Sequence, residues 1–183
     1  MTTWELPVSV EIGGSEYSVC SDYRDILEII DILQDREKHN SVRILLALSL
    51  FYDDFESIPQ EFHECALMSM FSFINCGEID DGRPQPKTID WKQDGMIIAA
   101  EVNKVAGTEV RALSYLHWWT FISYFNGIGE GQLSFIVGIR EKIRKGQKLE
   151  KHEKEFYQAN RSKVDFRQTL TTSEKEVLNH WIN

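Results

Sequence analysis

Apolar residues recur at helical spacing through most of this chain. The first such stretch carries its apolar side chains at positions i, i+3, i+4, i+7 and i+10, namely Tyr23, Ile26, Leu27, Ile30 and Leu33. This spacing is typical of an amphipathic helix. Ser21 or Asp22 is its predicted N-cap, and its predicted end lies near Lys38.

Two further helices are predicted between residues 42 and 74. The earlier one ends at Asp53-Asp54 and carries Val42, Leu45, Leu46, Leu48 and Phe51. The later one is predicted to begin at Ser57-Ile-Pro-Gln60, which has the capping-box spacing and a proline suited to a first turn. Its apolar residues cover both sides: Phe62, Ala66, Met70 and Phe73, then Leu67, Met68, Phe71 and Ile74. Because a helix that is apolar all round is usually buried, both helices are predicted to be core.

One segment alternates instead. Val8–Ile12 and Tyr17–Cys20 flank Gly13-Gly14, a dipeptide that supplies the positive backbone angles of a tight hairpin turn. Residues 1–20 are therefore predicted to hold a short N-terminal β-hairpin. An isolated hairpin is marginal in water, so we expect it to pack on a helical body or to extend another subunit's sheet.

A loop is predicted at residues 76–89. The stretch from Cys76 to Lys87 gathers two glycines and two prolines with several acids, which favours a solvated loop between two helical halves.

The second half is predicted to consist of helices only. One starts near Asp90, carries Trp91, Ile98, Val102 and Val105, and ends at Gly107 as a C-cap. An aromatic helix is predicted over 111–126, with Tyr115, Trp118, Trp119, Phe121, Tyr124 and Phe125. After the turn Gly127–Gly131, another helix carries Leu133, Ile136, Val137, Arg140 and Ile143.

Glycine also shapes that helix, because Gly138 is expected where another backbone approaches closely and Gly146 is expected to end it. Leu149, Phe156 and Tyr157 predict one more helix. A last helix begins at Thr172 or Ser173 and carries Val177, Leu178, Trp181 and Ile182. The fold class predicted for residues 1–183 is mainly α: a helical single domain of about seven to eight helices with the N-terminal hairpin.

Charge changes this picture in one region. The whole chain carries a net charge of -9, which argues against a generic nucleic-acid or anionic-membrane binder. Residues 139–163, however, hold nine Lys or Arg against four Glu, a local sum of +5. This run has two interpretations: a solvated helix face with pairs at i to i+4, or a docking surface for an acidic partner or a neighbouring subunit.

The cysteines and the short apolar runs predict a cytosolic protein. Cys20, Cys65 and Cys76 are odd in number and widely spaced, as expected of reduced thiols in a cytosol. The chain opens without a signal peptide, and no apolar run approaches the length of a membrane span.

No group of residues predicts catalysis, a cofactor or a metal. Gly127–Gly131 follows a helix rather than a strand, unlike a dinucleotide-binding loop. His63, Cys65 and Cys76 lack a fourth zinc ligand at finger or ribbon spacing. His117 is expected to be a core histidine bonded to one backbone or carboxylate group, with a catalytic base as the alternative. Asp53-Asp54 and Asp80-Asp81 are expected to be solvated loop acids, because adjacent side chains point apart.

Four blocks carry a family resemblance: Leu116-His-Trp-Trp-Thr-Phe121, Ile136-Val-Gly-Ile-Arg140, Lys145-Gly-Gln-Lys-Leu-Glu-Lys151 and Glu155-Phe-Tyr-Gln-Ala-Asn160. In their order and spacing the sequence resembles the gene-product-fifteen family of tailed phages, from about Thr3 to Asp165. Members are encoded in the structural gene cluster of long-tailed phages, usually between the tail-tube and tape-measure genes.

The resemblance implies a tail assembly chaperone-like protein. Such a protein binds the hydrophobic tape-measure protein in the host cytoplasm, keeps it soluble and leaves as tail-tube subunits polymerise. The partners expected are therefore the tape-measure protein, possibly the tail-tube protein, and further copies of the chain. The alternatives are a minor tail or connector protein retained in the virion, and a small regulatory nucleic-acid-binding protein, against which the acidic charge argues.

The partner-binding residues are predicted from residue type alone, because Trp and Arg are frequent at binding hot spots. They lie in the aromatic helix and the basic run after it: Trp118, Trp119, Arg140, Arg144 and Lys148.

Overall fold

A computed structural model describes residues 4–78 and 86–167. As the sequence predicts, the fold is a mainly α-helical single domain with a short N-terminal hairpin. The elements of the described residues are β1 (Ser9–Ile12), β2 (Ser15–Ser18), α1 (Tyr23–Gln34), α2 (Asn40–Phe51), α3 (His63–Ile74), α4 (Gly95–Ala106), α5 (Trp118–Asn126), α6 (Gln132–Arg144), α7 (Lys151–Ala159) and α8 (Arg161–Val164). None of these helices combines the length and the apolar character needed to cross a membrane.

The fold is divided into two compact units. Unit 1 comprises Met1–Arg83 and Ser114–Ile122, and unit 2 comprises Pro84–Leu113 and Ser123–Asn183. Of the predicted loop at 76–89, residues 76–78 and 86–89 are described, and they lie in no helix or strand. The helix predicted to begin at Thr172 or Ser173 lies outside the described residues.

The hairpin of unit 1 is formed as predicted. Strands β1 and β2 are antiparallel with Ser9 opposite Ser18, and both turn glycines have positive φ, +60° at Gly13 and +81° at Gly14. Alternate residues of β1, Val10 and Ile12, are buried, and β1 packs against α3. The hairpin is therefore held on a helical body, the first of the two expectations.

Helix α1 has the predicted cap and a different end. The side chain of Asp22 accepts a hydrogen bond from the backbone N–H of Arg24 at 2.9 Å. The helix stops at Gln34 rather than near Lys38, because the Asp35 side chain accepts from the N–H of Glu37 at 2.9 Å and turns the chain out of the helix.

The predicted start of the third helix is wrong. The Ser57 hydroxyl donates to the Asp54 carbonyl at 2.8 Å instead of capping a helix. A 3-10 turn occupies Gln60–Phe62, and α3 begins only at His63.

The aromatic helix is shorter than predicted. Val110–Ala112 forms a 3-10 turn, and α5 begins at Trp118 rather than Arg111. The chain before it is extended and pairs with the entry to α1: the N–H of Tyr23 donates to the Leu116 carbonyl at 3.0 Å, and the N–H of Trp118 donates to the Ser21 carbonyl at 2.7 Å. Pairing with a segment nearly a hundred residues earlier removes these residues from the helix.

Unit 2 confirms most of the predicted helices. Gly107, with φ +68°, ends α4 as predicted. The start of α4 is later than predicted, at Gly95, because the Asp90 carboxylate accepts from the N–H groups of Lys92 and Gln93 and holds a turn there. Phe135 of α6 and Phe156 of α7 meet edge to face, with ring centroids 5.0 Å apart.

One expectation about α6 is wrong. A Cβ at Gly138 would meet nothing within 4 Å, so no backbone approaches that position in the described residues.

The turn glycines differ in a way that can be measured. Replacing Gly14 by Ala places a Cβ in open space. The expected loss of unfolding free energy is therefore only the cost of left-handed backbone angles at a residue with a Cβ, about 1 kcal/mol. Replacing Gly13 by Ala places a Cβ 2.7 Å from the Phe62 ring, so overpacking should add roughly another 1 to 3 kcal/mol. Urea denaturation of the two variants measures the difference; equal midpoints would contradict the close packing of Phe62 on the turn.

Candidate interaction surfaces

The two neighbouring tryptophans of α5 close the C-terminal end of α3. A helix leaves its last four carbonyls without intrahelical partners. The Trp118 indole N–H donates to the Ile74 carbonyl at 2.8 Å, and the Trp119 indole N–H donates to the Phe73 carbonyl at 2.9 Å. Trp118 is only 2% exposed, and Trp119 is half-buried. Both predicted partner-binding residues therefore stabilise the packing of unit 1.

His117 caps the N-terminal end of α5. Its Nε2 lies 2.8 Å from the Pro7 carbonyl oxygen, and its Nδ1 accepts from the Trp119 N–H at 3.0 Å. These two bonds require the neutral ring with the proton on Nε2. The side chain is 3% exposed, and burial lowers its pKa below the ordinary 6.5, against the opposing effect of the bond to Pro7. The predicted core histidine is confirmed.

Arg140 is a buried clamp in unit 2. Its guanidinium makes five hydrogen bonds, matching its five N–H groups. Two go to the Asp94 carboxylate, at 2.6 and 2.9 Å. The others go to the carbonyls of Thr88 at 3.0 Å, Lys163 at 2.8 Å and Val164 at 2.7 Å. The side chain is nearly inaccessible, and it lies over the Phe166 ring at 4.3 Å.

The remaining two predicted site residues are exposed. Arg144 pairs with Glu141 of its own helix, with Nη2 and Oε2 2.9 Å apart. Together with Lys145 it lowers the pKa of Glu141 to about 2. Lys148 makes no ion pair with a described residue and lines an open cavity together with residues of α7 and α8. Of the five residues, Arg144 and Lys148 are thus the ones that present charge to solvent.

Sequence reasoning missed an apolar stripe on α2. Val42, Leu45 and Leu46 lie at i, i+3 and i+4 and are 45%, 55% and 41% exposed. The opposite side of the helix, with Ala47, Leu48 and Phe51, is buried. Helix α3 shows the same division, with Met68 64% and Phe71 38% exposed.

The prediction that both helices are core is therefore correct for one face of each and wrong for the other. The signal was present in the sequence: α2 and α3 are apolar on two sides, and a small domain seldom has neighbours for both.

Within residues 4–78 and 86–167, no three His, Cys, Asp or Glu side chains lie close enough together to hold a metal ion. Burial raises the pKa of Cys20 and of Cys76 to about 11. Both thiols are therefore protonated near neutral pH and poor nucleophiles.

Comparison with known protein families places this chain beside phage proteins. The model of a family described as bacteriophage Gp15 protein matches residues 3–166. No curated protein and no solved structure matches this chain.

Replacing Arg140 by Lys tests the clamp. An ammonium has three donors and cannot satisfy one carboxylate and three carbonyls at these positions, so the free energy of unfolding should fall by about 3 kcal/mol. Arg144, one turn along α6, is the matched control, because its exposed pair should cost at most about 0.5 kcal/mol when Lys replaces it. Urea denaturation measures both; similar losses would argue against a special role for Arg140.

His117 should make stability depend on pH. Its folded pKa lies below its unfolded pKa, so the unfolded chain binds more protons and stability falls as pH drops through about 6.5. Asn at this position retains a cap acceptor and does not titrate. We expect His117→Asn to flatten the stability profile between about pH 7.5 and 5.5. His152→Asn, at an exposed position, should leave the slope unchanged; an unaltered slope in His117→Asn would rule out the linkage.

Proposed function

The chain belongs to the bacteriophage Gp15 family, and from that premise we propose that it is a tail assembly chaperone-like protein. In this proposal it binds the tape-measure protein in the host cytoplasm and keeps that protein soluble until tail-tube subunits assemble around it. Membership of the family supports a phage structural or assembly protein, and the surface of unit 1 supports the finer role.

The observation that carries the proposal is the apolar stripe on α2. Three aliphatic side chains at i, i+3 and i+4, each more than two-fifths exposed, form the kind of surface that receives the apolar face of another helix. Exposed apolar surface on a folded protein commonly marks an interaction site. The exposed Met68 of α3 adds a flexible side chain of the type that suits surfaces with varied partners.

The charge around this stripe supports a role in solubility. The described residues of unit 1, 4–78 and 114–122, carry four Lys or Arg against fifteen Asp or Glu, a net of -11. High net charge keeps a protein, and what it binds, dispersed in water. The same charge favours client segments that flank their apolar residues with Lys or Arg.

Contacts of this kind also suit a temporary partner. A short aliphatic stripe lacks the buried aromatic anchors of tight interfaces, so the polymerising tail tube can displace the chaperone by mass action. The exposed cations Arg144 and Lys148 stay in the proposal as partner-binding residues. The other three predicted residues support binding through the fold that they maintain, since Trp118 and Arg140 are buried and Trp119 is half-buried.

Coexpression with the tape-measure protein tests the stripe. We expect the double variant Leu45→Glu/Leu46→Glu to move most of the tape-measure protein into the insoluble fraction, because two carboxylates remove the apolar contact. The matched control is Met96→Glu/Ile143→Glu, at two exposed apolar positions on helices of unit 2, which should keep the client soluble. Urea denaturation confirms that both variants fold.

Two outcomes would contradict the proposal. One is a client that is equally soluble with either double variant. The other is the presence of this protein at stoichiometric copy number in purified tails, which would favour the retained structural component instead.

A further inference from the structure

Unit 2 contains an open cavity of about 560 Å³ whose lining includes three cationic side chains. It is lined by Lys148, Leu149, Lys154, Tyr157, Gln158 and Arg161. The first two residues precede α7, the next three belong to α7, and Arg161 begins α8. Leu149 and the Tyr157 ring are part of its apolar lining.

The three cations at this cavity lack the partners that neighbouring cations have. Lys142 pairs with Glu153 at 2.6 Å, and Arg144 and Lys145 both pair with Glu141. Lys148, Lys154 and Arg161 make no ion pair with any described residue. Arg161 lies over the Tyr157 ring at 5.3 Å, and the Tyr157 hydroxyl donates to Asp165 at 2.9 Å. The cavity therefore concentrates unneutralised positive charge.

The same chain carries an uncompensated acidic surface in unit 1. No Lys or Arg occurs from residue 44 to residue 82. Over the described part of this stretch six carboxylates are exposed and make no ion pair with a described residue: Asp53, Asp54, Glu56, Glu61, Glu64 and Glu78. Three of them, Asp53, Asp54 and Glu56, fall within four positions.

We propose that the cavity lined by Lys148, Lys154 and Arg161 binds the Asp53-Asp54-Phe55-Glu56 segment of a second copy of this chain. The cavity offers three cations to three carboxylates, and the charges are complementary in sign. Because the cavity and the acidic segment are different surfaces, the contact is heterologous. When two copies bind, one keeps a free cavity and the other keeps a free acidic segment, and each can bind a further copy. This inference concerns self-association and does not depend on the tape-measure protein.

Carboxylates are favoured over nucleic acid as the occupant. A polyphosphate strand would have to approach a chain whose net charge is -9, and the unneutralised cations at the cavity number only three. A protein segment brings its charges to one place, whereas a nucleic acid needs a longer basic track.

Two neutralising variants and their mixture test the proposal. The cavity variant is Lys148→Gln/Lys154→Gln/Arg161→Gln, and the acid variant is Asp53→Asn/Asp54→Asn/Glu56→Gln, both in the full chain.

Sedimentation velocity of the wild type at low salt should show oligomers that dissociate as salt rises. Each variant alone should associate roughly tenfold more weakly, as expected when about three exposed charge contacts are lost. Equimolar mixing should restore association but stop at a one-to-one dimer, because only one cavity and one acidic segment remain functional.

The control separates the cavity from general charge. Lys151→Gln/Lys163→Gln/Arg167→Gln removes the same charge from exposed positions of the same region that do not line the cavity, and it should associate like the wild type.

Several results would overturn the inference. These are a monomeric wild type at all concentrations, an equal loss in the control, or no dimer on mixing. Salt-dependent retention of an oligonucleotide by the wild type but not by the cavity variant would assign the cavity to nucleic acid instead.

Discussion

Unpaired backbone groups at helix ends are the constraint on which this structure depends. Short helices have many ends for their length, and each end leaves four N–H or four carbonyl groups without intrahelical partners. Here side chains distant in sequence satisfy them. Trp118 and Trp119 reach carbonyls of α3 that lie 44 and 46 residues earlier, and Arg140 reaches two carbonyls in and at the end of α8. In each unit, the hydrogen bonds that satisfy the backbone groups at helix ends are therefore also contacts that pack the elements together.

This internal use of side chains determines which residues remain available for binding at the surface. Trp118, Trp119 and Arg140 belong to the residue types most often found at hot spots, but their polar atoms are committed to internal carbonyls and to Asp94. The surface then offers aliphatic side chains on α2 and charges without partners. A protein with such a surface can recognise apolar helices and oppositely charged segments without the deep aromatic pockets of a permanent interface.

The sequence predicted the elements better than their limits. Periodicity and glycines located the hairpin, the turn at Gly127–Gly131 and the end of α4 at Gly107, because these depend on local backbone preference. The starts of α3, α4 and α5 were missed, since each depends on a particular hydrogen bond. For α5 that bond is made to Ser21, far along the chain, which no local pattern reveals.

The candidate site was harder to predict for a related reason. Residue type suggested Trp118 and Arg140, but only the packing shows that their polar atoms already have partners. Likewise, α2 is apolar on two faces, and its sequence does not reveal which face another element covers. The cavity is the intermediate case. The basic run 139–163 was visible in the sequence, but only the structure shows that Lys142, Arg144 and Lys145 pair with Glu side chains and that Lys148 does not.

The distribution of charge connects the two proposed surfaces. The described residues of unit 2, 86–113 and 123–167, carry fourteen Lys or Arg against ten Asp or Glu, a net of +4, whereas those of unit 1 sum to -11. Two copies meeting stripe to stripe through α2 would bring two strongly negative units together, and repulsion opposes that contact. A heterologous contact through the cavity joins opposite charges and involves none of Val42, Leu45 and Leu46. Self-association of this kind leaves the stripe available, so several copies can present it at once to a long helical client, and multivalency raises the overall affinity while each contact stays weak enough to be displaced.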